Sequence, residues 1–331
     1  MKQIDSSDVR SPSKSSLKIV PSRGSEKNIR DLSEFARTLH NVNGRIALES
    51  SFASGELEPV LIADGQERRT RDAITSAFPD AEIEENGYRT TRTFDPEGYS
   101  LAGTYFNLSR SKFEPIKTGK TLEDNGRFKE TIASEFSRIC ADQGIRFAIQ
   151  VVLHPVSDRW SKNWLDVWRR FDPDREWKSL NDFYAYQAEE EGDTERALRI
   201  RERASEPAFR VFPRVFVSAP TPRECEDILS ELESRYRNKF RWRDQSLQPK
   251  RMRRGVVGRL LYYPAPSKLD KHIKGYAHAE FPSPIRPLKN AGFVLPASEI
   301  AGLLPIPIRD DVDGVEYCAG VGYGTKEGPS F

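Results

Sequence analysis

The sequence predicts an α+β fold built on a ferredoxin-like β-α-β-β-α-β sheet, with a helical insertion and a small N-terminal α/β module. Three observations predict it. Phe128, Ile132, Phe136 and Ile139 recur at helical spacing, which marks an amphipathic helix. The run Ile145–His154 is almost continuously apolar, as a central strand buried on both faces must be. A strand–helix–strand rhythm then occurs twice, once before and once after a long insertion, and that order folds into a split sheet with helices on one face.

Along the chain, residues 1–27 are rich in Ser, Lys, Arg and Pro and lack an apolar period, so a disordered tail is expected. The module 28–97 follows. A helix is expected over Asn28–Asn41, where Leu32, Phe35, Ala36 and Leu39 share a face. Gly44–Ser51 reads as a strand, and Leu57–Ala63 as an edge strand because Pro59 cannot donate to a ladder. Gln66–Phe78 reads as a helix stopped by Pro79, and Ala81–Glu85 and Tyr88–Thr93 as short strands.

The domain 98–281 carries the doubled rhythm. Its expected elements are a strand at Gly98–Arg110, a helix at Leu122–Gln143 closed by Gly144, and the Ile145–His154 strand. After the insertion come a strand at Ala208–Ala219, a helix from Pro222 to about Arg237 with Thr221 as N-cap, and a last strand at Gly255–Tyr263. The insertion 155–206 holds four of the five tryptophans and a charged helix near Thr194–Ser205, so it reads as a helical arm. Residues 282–331 are expected to be mostly extended.

Composition bounds the function. The net charge of the 331 residues is +2, so attraction to nucleic acid must come from a local patch. The cysteines Cys140, Cys225 and Cys318 are too few and too scattered for a disulfide framework, which fits a reducing, cytoplasmic setting. No apolar run is long enough for a membrane-spanning helix, and no signal-peptide pattern opens the chain.

Thr118-Gly119-Lys120-Thr121 copies the end of a phosphate-binding loop. The glycine that should stand five residues before Gly119 is Glu114, whose charge repels phosphate, and Pro115 stiffens the segment. His40, His154, His272 and His278 have no metal-site spacing. No cofactor is expected, and the chain reads as a binding or assembly module and not a self-sufficient enzyme.

The strongest charge feature is 235–259. It contains Arg235, Arg237, Lys239, Arg241, Arg243, Lys250, Arg251, Arg253 and Arg254, interleaved with Tyr236, Phe240 and Trp242. Basic groups neutralise phosphate and aromatics stack on bases, so DNA is one candidate partner. Pairing with the acidic Glu189–Glu191 arm or with a protein partner, and docking on an acidic membrane surface, are the others. Trp160, Trp164 and Trp168 share a helical face suited to a core contact or a partner interface.

Several stretches, taken in order, resemble the N-terminal non-motor region of conjugation and type IV secretion-like DNA-transfer ATPases of the HerA/FtsK superfamily. Phe78-Pro79-Asp80-Ala81 is similar to that family's YPDA. Phe113-Glu114-Pro115-Ile116-Lys117-Thr118 is similar to its PIKT strand end. Phe147–Pro155 with Trp160 behind it looks like its QxxLxP…W strand and helix, and Phe293–Pro307 looks like its EELAxLxxxP segment. The resemblance covers residues 30–310. It implies a scaffold that precedes a RecA-like ATPase, helps a ring assemble, and docks on a transfer channel. No Walker motif or arginine finger can be carried over. The expectation is therefore a non-catalytic assembly subunit that associates with itself or with a separate RecA-like motor, cytoplasmic or peripheral at the inner face of a membrane. The alternative is a nucleic-acid-binding protein acting through 235–259.

Overall fold

The computed structural model describes residues 14–23, 29–42, 44–64, 66–85, 99–110, 114–117, 130–140, 144–157, 180–252, 292–307, 312 and 314–318. Among the described residues, nine strands form one open, antiparallel sheet: β1 (Lys14–Val20), β2 (Ile46–Ala53), β3 (Glu56–Asp64), β4 (Glu82–Glu85), β5 (Ser100–Leu108), β6 (Arg146–Pro155), β7 (Ala208–Ala219), β8 (Leu247–Arg251) and β9 (Phe293–Pro296). Among the described residues there are seven α-helices: α1 (Ile29–His40), α2 (Glu67–Ala77), α3 (Ile132–Cys140), α4 (Leu180–Glu190), α5 (Thr194–Ser205), α6 (Pro222–Lys239) and α7 (Ala297–Ile300).

The sheet order is β4-β1-β3-β2-β6-β7-β5-β8, with β9 added beside β7. Read from its two ends, the order is the same. The first half runs β1-α1-β2-β3-α2-β4 and places its strands fourth, first, third, second. The second half runs β5-α3-β6-β7-α6-β8 and places its strands in that same order, inverted. The halves meet second strand to second strand. There Ile46 lies opposite Leu153, Leu48 opposite Val151 and Glu49 opposite Gln150.

Strand periodicity decides which face each residue takes. Leu48, Phe52, Leu61, Phe147, Ile149, Val151, Val215 and Val217 point to the helical face and join one core with Phe35 and Leu39 of α1, Ile74 of α2, Phe136 of α3 and Leu229 and Tyr236 of α6. The opposite face carries a polar row across the seam. Gln150 Nε2 donates to Glu49 Oε2 (2.9 Å), and Arg214 Nε donates to Gln150 Oε1 (2.8 Å). All three are buried, and burial forces such groups to find hydrogen bonds.

Local rules account for the elements. Thr221 accepts from the Glu224 N–H while the Glu224 carboxylate accepts from the Thr221 N–H. This capping box, with Pro222 behind it, opens α6 where the sequence placed it. Gly144 has φ +64 after α3. Ser54 and Gly55 both have positive φ, as the tight turn between β2 and β3 requires.

The structure departs from expectation in five places. Lys14–Val20 is a strand and not part of a disordered tail, with Leu17 and Ile19 in the core. The strand bearing Pro59 is interior, between β1 and β2; its ladder with β1 ends at Val60, so Pro59 pairs only with Ser50 of β2. The last strand of the second half is Leu247–Arg251, and the expected Gly255–Tyr263 lies outside the described residues. Of the expected helix Leu122–Gln143, Ile132–Cys140 is described. The C-terminal segment is partly regular: β9, then α7, then a 3-10 turn at Ala301–Leu303.

That segment spans both halves. Beyond β9 on the second half, Ser50 of β2 donates to the carbonyl of Pro305. Leu57 N–H then donates to Gly314 O (2.8 Å), and Cys318 N–H to Pro21 O (3.0 Å). Gly314 has φ +80, and a Cβ there would sit 2.1 Å from the Gly55 carbonyl oxygen, so this crossing tolerates only glycine.

Candidate functional site

The basic stretch folds into three different settings. In α6, Arg235 pairs with Glu231 at 2.8 Å and with Glu135 of α3 at 3.5 Å. Lys239 is held by the Glu135 carboxylate and the Glu130 carbonyl. Burial pushes its ammonium below the ordinary lysine range, and Glu135 opposes that shift. On β8, Arg251 reaches back to Glu233 (3.1 Å), Glu226 (2.5 Å) and Ser230 (2.7 Å) of α6, and the Glu233 carboxylate, with Glu226 behind it, holds its guanidinium above its usual value. Arg237 is exposed, and exposed Arg241 donates through Nε to the Arg243 carbonyl at 3.2 Å.

The turn between α6 and β8 is the third setting. Trp242 and Gln245 exchange two backbone hydrogen bonds, each 2.9 Å. Arg243, at the tip, has φ +52, a left-handed conformation that residues with side chains avoid. Its guanidinium lies 4.8 Å from the Trp242 ring centroid, a cation–π geometry, and pairs with Asp193 and Glu195 of the arm. Arg199 of the arm also lies over that ring, at 5.0 Å. Gln245 ties the turn to β5 and the segment beyond it: Oε1 accepts from Ser109 and from the Arg110 N–H, while Nε2 donates to the Glu114 carbonyl.

The arm is the helical hairpin α4–α5. Ala185, Ala188, Ala197 and Ile200 form its own small apolar cluster, separate from the main core. Charge holds it to the sheet. Arg196 Nε donates to Glu114 (2.9 Å) and Nη1 to Glu191 (2.5 Å), which drives its guanidinium above its ordinary value. Arg203 forms a buried pair with Glu299 of α7, at 2.6 Å, and Glu206 accepts from the Ser298 backbone and hydroxyl. Arm and turn enclose a cavity of about 410 Å³, lined by Arg110, Glu191, Asp193, Arg196, Trp242 and Arg243 among others.

Sequence reasoning placed Arg235, Arg237, Lys239, Arg241, Arg243 and Arg251 in one patch. The fold divides them between a helix, a turn and a strand, and commits four of them to carboxylates. Arg253 and Arg254, the tryptophan face of Trp160, Trp164 and Trp168, and Thr118–Thr121 lie outside the described residues. Glu114 is described. The carboxylate that spoils the phosphate-loop pattern is the anchor of Arg196. The Arg203–Glu299 pair escaped the sequence because its partners are far apart in the chain and neither has a local motif. Among the described residues, no group of three or more His, Cys, Asp or Glu side chains is placed to hold a metal ion.

A family model described as Domain of unknown function (DUF8128) matches residues 3–313. Comparison with curated proteins finds no match.

Proposed function

The chain belongs to the DUF8128 family, and from that premise we propose that it is a non-catalytic assembly scaffold that associates with itself and with a separate RecA-like motor of a DNA-transfer system. The observation that carries this reading is the use made of the basic stretch. Arg235, Lys239, Arg243 and Arg251 are spent on intramolecular carboxylates that join α3 to α6, α6 to β8, and the arm to the turn. Charge used in this way stiffens a platform. The C-terminal segment adds to it by linking β7, β2 and β1 in one passage.

Each half is read as a ferredoxin-like unit. The support is the fourth-first-third-second strand order in both halves, with two helices of each packed on the same face. The family-like segment Phe293–Pro307 ends on this platform. A motor engaging it would therefore meet a fixed surface, with Glu299 anchored to Arg203.

The test is size-exclusion chromatography with light scattering on the full chain, alone and mixed with a RecA-like ATPase encoded in the same genome. The reading expects a multimer or a co-eluting complex, with ATP hydrolysis by the ATPase only. A monomer that never co-elutes overturns it, as does ATP turnover by the purified chain.

A further inference from the structure

The turn between α6 and β8 combines features that a platform does not need. Arg243 is held at φ +52, where backbone strain has to be supported by surrounding structure. Trp242 beside it is half-buried, with Arg243 and Arg199 against its ring. Two of the cations here, Arg243 and Arg110, come from the sheet side; the Asp193 and Glu195 carboxylates covering the turn come from the arm. The arm's own apolar cluster is separate from the main core and touches the sheet through Tyr184, beside Ala208 and Val294, while the end of the arm over the turn is held by polar contacts. The cavity between them, about 410 Å³, falls within the roughly 300–1,000 Å³ of small-ligand sites.

We infer that this turn is a binding site for single-stranded nucleic acid, covered by the acidic end of the α4–α5 arm acting as an internal stand-in for phosphate. With the arm displaced, Arg243 and Arg241 face the backbone of the strand, Arg110 stays paired with Asp244 of the turn, and Trp242, relieved of Arg199, offers a face on which a base stacks. An acidic peptide would satisfy the arginines but leave the indole face unused, so nucleic acid is the better fit. This goes beyond the scaffold reading: it releases only the Arg243 tie and leaves the Arg235, Lys239 and Arg251 ties in place.

The experiment is fluorescence anisotropy of the full chain with a labelled oligo-dT strand, at about 50 mM salt. Asp193→Asn with Glu195→Gln removes the covering charge. Asn still caps α5, whose first N–H contact is Arg196 N to Asp193 Oδ1. The double variant is expected to bind about tenfold tighter than the native chain, with affinity falling steeply as salt rises. Adding Arg243→Gly, which also relieves the positive φ, should return it to the native level. No gain in affinity overturns the inference, and so does a gain that survives Arg243→Gly. Poly-glutamate competing as well as oligo-dT overturns it in favour of an acidic protein partner. Glu195→Gln alone, at an exposed side chain, gives the same comparison if the double variant does not fold.

Discussion

Glu299 shows what a single buried residue contributes here and why no inspection of the sequence finds it. Burial pushes its carboxyl up to about 7, while Arg203 and the Ile116 N–H pull the other way. A carboxyl whose folded pKa lies above its ordinary value of 4.5 stabilises most below that value, and the contribution is lost as pH rises through about 7. Stability of the native chain, followed by urea unfolding, should therefore fall between about pH 5 and pH 7.5 relative to a Glu299→Gln variant, which has no such titration. Arg203→Met removes the cation paired with that carboxylate. At pH 8 it should cost about 3–5 kcal/mol, the scale for breaking a buried pair. At pH 5, where Glu299 takes up a proton, the loss should be clearly smaller. A pH-independent loss would mean that Glu299 stays ionised throughout. Residues with local grammar were legible: Thr221, Pro222 and Gly144 do what their positions announce. Arg203 and Glu299 meet only because α5 and α7 fold against each other, and nothing local encodes that.

Elements were legible in proportion to the length of their pattern. Helices α1 and α6 and strands β6 and β7 each carry four or more periodic apolar positions and α2 carries three, and the structure places them within a residue or two of expectation. Strand β1 was missed because Leu17 and Ile19 are its only clear alternating pair, set among serines and lysines. Strand β8, Leu-Gln-Pro-Lys-Arg, reads as part of a basic loop; pairing with β5 and the ties from Arg251 to α6 make it a strand. Its neighbour α6 is the element whose start is most locally encoded. Thr221→Ala should remove the side-chain arm of the capping box, leaving the Thr221 N–H to Glu224 arm in place, and cost about 1 kcal/mol, read as a lower denaturation midpoint at unchanged slope. Thr221→Asn, which preserves the side-chain acceptor, should recover most of the loss. If alanine and asparagine behave alike, the N-terminus of α6 is held by its packing on β5 and β7 and not by the cap.

At the scale of the whole molecule, the inverted repetition of one strand order was not legible, because the first half had been read without its opening strand. With β1 in place, the two halves are the same unit facing itself across β2 and β6. The sheet runs unbroken from β4 to β8 over one apolar core. A continuous core and a seam of seven residue pairs leave little opportunity for one half to unfold while the other stays intact, since opening either would expose Leu48, Phe52, Phe147 and Val151 together. The full chain should therefore unfold in a single transition, with tryptophan fluorescence and far-ultraviolet circular dichroism tracing the same curve in denaturant. Leu48→Ala, at the seam and fully buried, should lower stability by about 2–5 kcal/mol and shift both probes together. If the dichroism curve of the native chain splits into two steps, or Leu48→Ala shifts only one of them, the halves are independent domains that merely touch. The arm, by contrast, meets the turn through ion pairs at its α4–α5 end. Hydrogen exchange in α4 and α5 should quicken with added salt while β6 and β7 stay protected, because screening weakens surface pairs such as Arg243 with Glu195 and leaves the apolar core untouched.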